Sequence, residues 1–256
     1  MFVAQKRITN SNNVRYKRWR SYIRKPEDQR CPWFSVEGPK QILELSNQIK
    51  IQLLLYCRMN PIIEVLMTRA GEVVRLEKTL LSTLSGVKTS QGMIAFFLKP
   101  SFTWNHITKF VLYLEEVQDP GNLGTLIRTA QATGLFSIIT SGKTVSPWNN
   151  KVVRAASGSL IQVPILENVK LDDLKKKDFY LVGSSSDSSR SFFNQTFSSG
   201  TAFLIGNEGK GLTTQSINLA DDVCGIPMEG SVDSLNLSVV GSLIMYHVYL
   251  QNLTYD

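Results

Sequence analysis

Apolar residues recur along the chain in two rhythms: short continuous runs that fit buried strands, and longer stretches at helical spacing. Residues 12–23 have the spacing of a basic helix, and residues 38–48 that of a second, with Ile42, Leu43 and Leu45 apolar. The run 51–57 predicts a buried strand, and Asn60-Pro61 a turn and helix start. Residues 73–76 and 92–98 predict further strands around a helix near 77–84. Pro100-Ser101-Phe102-Thr103 then breaks the pattern and places a domain boundary between Lys99 and Lys109.

From Phe110 the pattern becomes strand, helix, strand. Residues 110–114 predict a strand, 122–133 a helix closed by Gly134, 137–140 a second strand and 147–157 a helix. Residues 179–183, 201–205 and 223–226 are short strand candidates, and 235–250 a long final helix. Short apolar strands alternating with helices predict an α/β fold with a largely parallel sheet covered on both faces. The one low-complexity tract is the Ser-rich loop 184–191.

A hydrophobic fraction of 43% in 256 residues allows a packed core, in one large domain or two of ordinary size. The longest apolar runs are far shorter than the ~20 residues that span a bilayer, and no signal sequence is visible. Cys31, Cys57 and Cys224 lack metal-ligand spacing, and His106 and His247 are the only histidines, so no metal is expected. A cytoplasmic, reducing location is the simplest expectation.

Charge is concentrated at the front. Residues 1–30 hold nine basic residues, among them Lys6, Arg7, Arg15, Lys17, Arg18, Arg20 and Arg24, against Glu27 and Asp28. Their excess equals the net charge of +7 of the whole chain. Tyr16, Trp19 and Tyr22 are interleaved with these cations, a mixture that suits single-stranded RNA. A solvated basic helix face is the plainer alternative. Without a broad apolar face the segment favours nucleic acid over a membrane.

Two glycine-containing loops lack the pattern of nucleotide cradles. Ser141-Gly-Lys-Thr144 has Ser137 where a P-loop requires its first glycine, and 206–211 does not match G-x-G-x-x-G. Ligands of open α/β sheets nonetheless sit beyond the carboxyl ends of strands. Three loops leave such ends: the one after Gly183, the one at 206–211 and the one at 227–233. Together they could hold an adenine and a zwitterionic amino acid largely through backbone groups, without a dedicated charge partner.

Three segments resemble the motifs of the SpoU/TrmH methyltransferases. Glu116-Val-Gln-Asp-Pro-Gly-Asn-Leu-Gly-Thr-Leu-Ile-Arg-Thr-Ala-Gln-Ala-Thr-Gly134 is similar to the first, with Asn122, Gly124 and Arg128 at its characteristic positions. Leu204-Ile-Gly-Asn-Glu-Gly-Lys-Gly-Leu212 is similar to the second. Ile226-Pro-Met-Glu-Gly-Ser-Val-Asp-Ser-Leu-Asn-Leu-Ser-Val240 is similar to the third, with Leu237 and Val240 in place of the commoner Val and Ala. Lys151-Val-Val-Arg-Ala-Ala-Ser-Gly158 also resembles a family stretch. In the front half, Trp33-Phe-Ser-Val-Glu-Gly38 and Ser90-Gln-Gly92 resemble the family's substrate-binding domain.

The resemblance implies a C-terminal SPOUT α/β fold with a deep trefoil knot over 110–256 and a linker at 101–109. It also implies a smaller N-terminal α/β substrate-binding domain over 31–100, joined by the basic segment 1–30. The implied activity is S-adenosylmethionine-dependent methylation of a ribose 2′-hydroxyl by a homodimer. The separate N-terminal domain resembles that of 23S rRNA enzymes more than that of tRNA enzymes; a non-catalytic RNA-binding protein is the rival from another class. The resemblance makes Arg128 the catalytic candidate, oriented by Glu208; the high pKa of a guanidinium suits it chiefly to stabilising the developing oxyanion, and proton abstraction by it would need a perturbed guanidinium. Ser234 and Asn236 would position the ribose or the guanidinium, and Asn122 would brace the loop or contact RNA. Gly183, Ser184, Gly206, Ile226, Pro227 and Met228 would hold the cofactor, with Leu235 against the adenine. Read without the motifs, Ser234 is equally a helix N-cap.

Overall fold

A computed structural model describes residues 6–28, 30–86, 90–229 and 233–253, which fall into two compact units. The first comprises Met1–Pro100 with Trp148–Gly158, the second Ser101–Pro147 with Ser159–Asp256.

The first unit begins with β1 (Lys6–Ile8), α1 (Val14–Arg24), β2 (Trp33–Glu37), α2 (Pro39–Ser46) and β3 (Ile51–Tyr56). It continues with α3 (Pro61–Arg69), β4 (Ala70–Leu76), α4 (Lys78–Leu84) and β5 (Met93–Leu98). The sheet runs β1-β4-β3-β5-β2, parallel across its first three strands and antiparallel at both pairings of β5. Helix α1 starts where the Asn13 side chain accepts from the backbone N–H groups of Arg15 and Tyr16. Its inner face then buries Tyr16 and Trp19, at 1% and 3% exposure, against Leu53, Leu55 and Val74. This corrects the expectation that Trp19 and Tyr16 are open to stack on bases. Apolar area on a helix face beside a sheet gains more from burial than from solvent-exposed cation contacts.

The second unit contains β6 (Phe110–Leu114), α5 (Pro120–Thr133), β7 (Phe136–Thr140), β8 (Ile165–Leu166), α7 (Leu171–Lys175) and β9 (Tyr180–Ser184). It closes with β10 (Thr201–Ile205), α8 (Thr214–Leu219), β11 (Asp222–Cys224) and α9 (Leu237–Gln251). Its sheet, β11-β9-β10-β6-β7-β8, is parallel throughout. All five residues of each of β6, β7 and β10 are buried, as strands covered on both faces require. Strand order reverses between β6 and β10, so the loops after these two strands open a crevice at the switch point.

Between β7 and β8 lies α6 (Asn150–Ala156), shorter than the helix expected over 147–157 and followed by a 3-10 turn. It belongs with the first unit rather than with a continuous 110–256 domain. Trp148 lies 5.3 Å from Phe34, ring to ring, and Ser35 Oγ donates to Asn150 Oδ1 at 2.8 Å. The apolar face formed by Val152, Val153 and Ala156 finds its burial there.

Candidate active site

Helix α5 is positioned from its first turn. Pro120 occupies the position where a missing N–H costs nothing, and Asp119 caps the helix, accepting from Gly121 and Asn122. The loop after β10 then grips the same helix end. Glu208 accepts from the backbone N–H of Asp119 at 3.0 Å, from that of Gln118 at 3.2 Å and from Asn122 Nδ2 at 3.2 Å. Burial pushes the Glu208 carboxyl up, but the N–H groups of Asp119 and of Glu208 itself, with Asn122 and Gln118, outweigh it. The carboxyl is held below its ordinary value, as fits an anion at a helix N-terminus. Asn207 completes the grip, donating from Nδ2 to the Glu116 carbonyl at 2.8 Å. Glu116 itself holds φ at 54°, a left-handed conformation uncommon outside glycine.

Asn122 is the joint of the site. Its amide donates to Glu208 while its Oδ1 accepts from Asn236 Nδ2 at 3.1 Å. Asn236 is also the N-cap of α9, accepting from the Ser238 N–H at 2.9 Å and the Ser238 hydroxyl at 2.6 Å. One amide chain therefore ties the loop after β10, the start of α5 and the start of α9. The cap at Asn236 corrects the reading of Ser234 as N-cap: α9 begins at Leu237, two residues beyond the expected start.

A cavity of about 690 Å³ opens beside this chain. Its wall includes Ser184, Gly206, Ile226, Met228 and Leu235, five of the residues that the resemblance assigns to the cofactor, together with Glu208, Ser234 and Asn236. Gly183 and Pro227 do not line it: Gly183 is sealed within β9, where Leu212 and Val223 cover its Cα, and Pro227 is only adjacent in sequence to lining residues. Asn207, Lys210, Asp187 and Gly225 also line the cavity, and no function was assigned to them from sequence. Asn207 was legible as part of Asn-Glu-Gly; Asp187 lay in a Ser-rich loop with no pattern to single it out.

Two glycines are required by close backbone approach. A Cβ on Gly206 would sit 2.0 Å from the Gly211 carbonyl carbon, because Asn207 and Gly211 exchange backbone hydrogen bonds across a tight turn. A Cβ on Gly225 would lie 2.8 Å from the carbonyl oxygens of both Ser185 and Ser188. The chain leaving β11 runs between these residues: the Ser185 N–H donates to Cys224 O, Gly225 N–H to Arg190 O, and Phe192 N–H to Gly225 O.

Arg128 departs from expectation. It is exposed, does not line the cavity and makes no hydrogen bond or ion pair with Glu208. Six residues along a helix carry it about 9 Å along the axis and roughly 120° around it from Asn122, so Glu208 reaches Asn122 instead. The expectation that Glu208 orients Arg128 within one chain is therefore corrected.

The comparisons fit this geometry. Residues 109–246 match the SpoU rRNA Methylase family. The chain belongs to that family. The 23S rRNA (guanosine(2553)-2'-O)-methyltransferase RlmP of Bacillus subtilis is 27% identical over 246 residues, 95% of this chain and 99% of that protein. The AdoMet-bound rRNA methyltransferase from Sinorhizobium meliloti is 27% identical, with a TM-score of 0.82 over 97% of this chain and 99% of that one. The SpoU methyltransferase AviRb from Streptomyces viridochromogenes, in complex with AdoMet, is 25% identical with a TM-score of 0.82, over 94% and 98%.

The cavity of this family member fits S-adenosylmethionine on its own chemistry. Its volume falls in the range of roughly 300–1,000 Å³ that small-molecule pockets occupy. Leu212, Ile226, Leu235 and Val240 offer apolar surface to a flat ring, and Ser184, Ser185 and the strand-end backbone offer polar atoms. Among the described residues no cluster of His, Cys, Asp and Glu could hold a metal, and no helix is long and apolar enough to cross a membrane.

In the first unit the basic residues divide. Arg7 pairs with Glu77 and Arg15 with Glu72, and the Arg15 guanidinium also lies over the Trp19 ring, 5.0 Å from its centroid. Arg20 is half-buried, and its Nε is enclosed without a partner among the described residues. Lys17, Arg18, Arg24 and Lys25 are exposed, with Arg18 donating to Tyr22 Oη at 2.5 Å. The side chain of Lys6 lies outside the described residues.

The depressed Glu208 pKa has a pH consequence. Stability supplied by this carboxylate is present above its unfolded value, roughly 4.3, and lost as pH falls through the lower folded value. Glu208→Gln is expected to melt below wild type at neutral pH, and the gap should close in acid thermal scans. A gap that widens on acidification contradicts the contacts described.

Proposed function

We propose that this chain transfers a methyl group from S-adenosylmethionine to a ribose 2′-hydroxyl of RNA, with large-subunit (23S) rRNA as the substrate. The observation that carries the reading is the hydrogen-bonded chain from Glu208 through Asn122 to Asn236, whose two ends line the cavity. It fixes three loops at one place, the positional control that an in-line transfer demands. A full-length relative named as a 23S rRNA 2'-O-methyltransferase favours rRNA over tRNA. A cytoplasmic location goes with this reading.

The bound cofactor supplies a methyl group activated on a sulfonium. A 2′-hydroxyl is a poor nucleophile until its proton leaves, so the protein must stabilise the oxygen as charge develops. Arg128 takes that role; with a pKa above ~12 it is a better oxyanion partner than base. Glu208 and Asn122 hold the α5 terminus, and Ser234 and Asn236 present polar groups at the cavity. The path of residues 222–226 between Ser185 and Ser188–Phe192 supports a knotted chain at this site.

A homodimer is part of the proposal. Val239, Leu243, Tyr246 and Leu250 form one stripe on α9 and are 44, 37, 45 and 57% exposed. Helix α5 lies beside α9, with Thr129 Oγ1 3.0 Å from Ser242 Oγ, and turns Arg128 outward. A second copy on this face gives the stripe a partner and brings Arg128 of one chain towards the cavity of the other. Leu243→Glu with Tyr246→Glu is expected to yield a folded monomer by sedimentation; an unchanged mass contradicts this interface.

The exposed cations of α1, with Lys25 just after it, form the RNA-facing surface of the first unit. Since Tyr16 and Trp19 are core residues, the surface is tested by charge and not by deletion. Lys17→Glu, Arg24→Glu and Lys25→Glu together should weaken rRNA binding and lower the salt slope by roughly two to three. An unchanged slope means that these side chains are merely solvated. Supplying 23S rRNA and tRNA separately with methyl-labelled cofactor tests the substrate: label in rRNA supports the proposal, and label in tRNA alone moves it to the tRNA reading. Cofactor binding without transfer to either RNA favours a non-catalytic RNA-binding protein.

A further inference from the structure

Among the described residues, three charged side chains line the cavity: Asp187, Glu208 and Lys210. Glu208 is committed to the α5 terminus through Gln118, Asp119 and Asn122. The other two have no ion-pair partner among the described residues. Asp187 receives only a long 3.4 Å contact from Ser186 Oγ, and Lys210 bonds through its backbone alone, to Asn207 Oδ1 at 3.3 Å.

Both charges stand on anchored loops. Asp187 sits at the apex of the Ser-rich segment, whose flanks are fastened to β11. Before it Ser185 N–H donates to Cys224 O, and directly after it Ser188 Oγ donates to Val223 O at 2.9 Å. Further along, the Arg190 guanidinium reaches Asp222 at 2.9 Å. Lys210 stands at the tip of the turn closed by reciprocal Asn207–Gly211 backbone bonds of 3.0 and 2.9 Å. An adenosine needs no fixed charge to be held, whereas an amino-acid zwitterion is matched by one anion and one cation.

We infer that Asp187 and Lys210 bracket the amino-acid end of the cofactor, Asp187 taking its ammonium group and Lys210 its carboxylate. The inference rests on the proposed use of S-adenosylmethionine and replaces the expectation that backbone groups alone hold the zwitterion. The two residues are positioning residues: they fix the cofactor and do not touch the reacting oxygen.

Calorimetry without RNA tests this on the full chain with three ligands: S-adenosylmethionine, its decarboxylated form, and 5′-methylthioadenosine, which lacks the amino acid. Asp187→Asn should weaken S-adenosylmethionine and the decarboxylated form roughly tenfold each, as loss of a charge-assisted hydrogen bond implies. Lys210→Gln should weaken S-adenosylmethionine by a similar factor and leave the decarboxylated form unchanged. Neither should alter methylthioadenosine. Equal weakening of all three ligands by Asp187→Asn overturns the inference, because Asp187 then reads the adenosine or shapes the loop. Unchanged S-adenosylmethionine affinity in Lys210→Gln overturns it for the carboxylate. In both cases the wild type still binds, so the proposed function stands; a wild type that binds none of the ligands overturns both.

Discussion

Arg128→Lys is expected to abolish methyl transfer, by roughly a hundredfold or more, while leaving rRNA and cofactor affinity within a few fold. Lysine keeps the charge but loses the planar fork through which a guanidinium can hold a developing oxyanion and a neighbouring acceptor together. Because Arg128 is exposed and absent from the cavity wall, its replacement has no packing consequence in its own chain. Near-wild-type turnover in the lysine variant would remove Arg128 from the chemistry altogether.

Gly206→Ala is expected to fail at an earlier step. The added Cβ would lie 2.0 Å from Gly211 C and 2.1 Å from Leu212 N, atoms of backbone that no rotamer change can clear. The turn must open, carrying Glu208 away from the α5 terminus and Lys210 from the cavity. Cofactor affinity should fall roughly a hundredfold, with the parallel sheet intact by circular dichroism. Retained affinity means that the loop is more plastic than its backbone bonds imply.

The two variants also separate one-chain from two-chain catalysis. Each alone is expected to be inactive. In a mixed dimer, the intact cavity of the Arg128 variant can receive Arg128 from the Gly206 variant. Co-assembly is therefore expected to restore about a quarter of wild-type activity, one working site in the half of the dimers that are mixed. A mixture as inactive as its components places Arg128 and the cavity of the same chain together.

These tests follow the division between what the sequence carried and what it did not. The parallel sheet and most of its strands were readable because buried strands leave continuous apolar runs, as in 110–114 and 201–205. The motifs drew attention to Asn122, Glu208 and Asn236, which the structure joins. Pairing was not readable. Glu208 and Arg128 share a motif set, but the helical angle between Asn122 and Arg128 decides which of them meets the carboxylate. The basic front helix misled for a related reason: its aromatic residues share spacing with its cations, and only the sheet beneath shows that Tyr16 and Trp19 face inward. Segment 148–158 was placed with its chain neighbours, while its apolar face is satisfied against β2. Asp187 carried no signal, since an acidic residue in a Ser-rich loop acquires meaning only when the loop is seen to line a cavity.

The central claim, transfer to a ribose oxygen, is tested most directly by nucleoside analysis. Unmodified 23S rRNA is incubated with purified protein and methyl-labelled S-adenosylmethionine, digested to nucleosides and resolved by mass spectrometry. The expected result is label in a 2′-O-methylated nucleoside, lost with Arg128→Lys. Label on a base, or no transfer by a protein that binds both cofactor and rRNA, would contradict it.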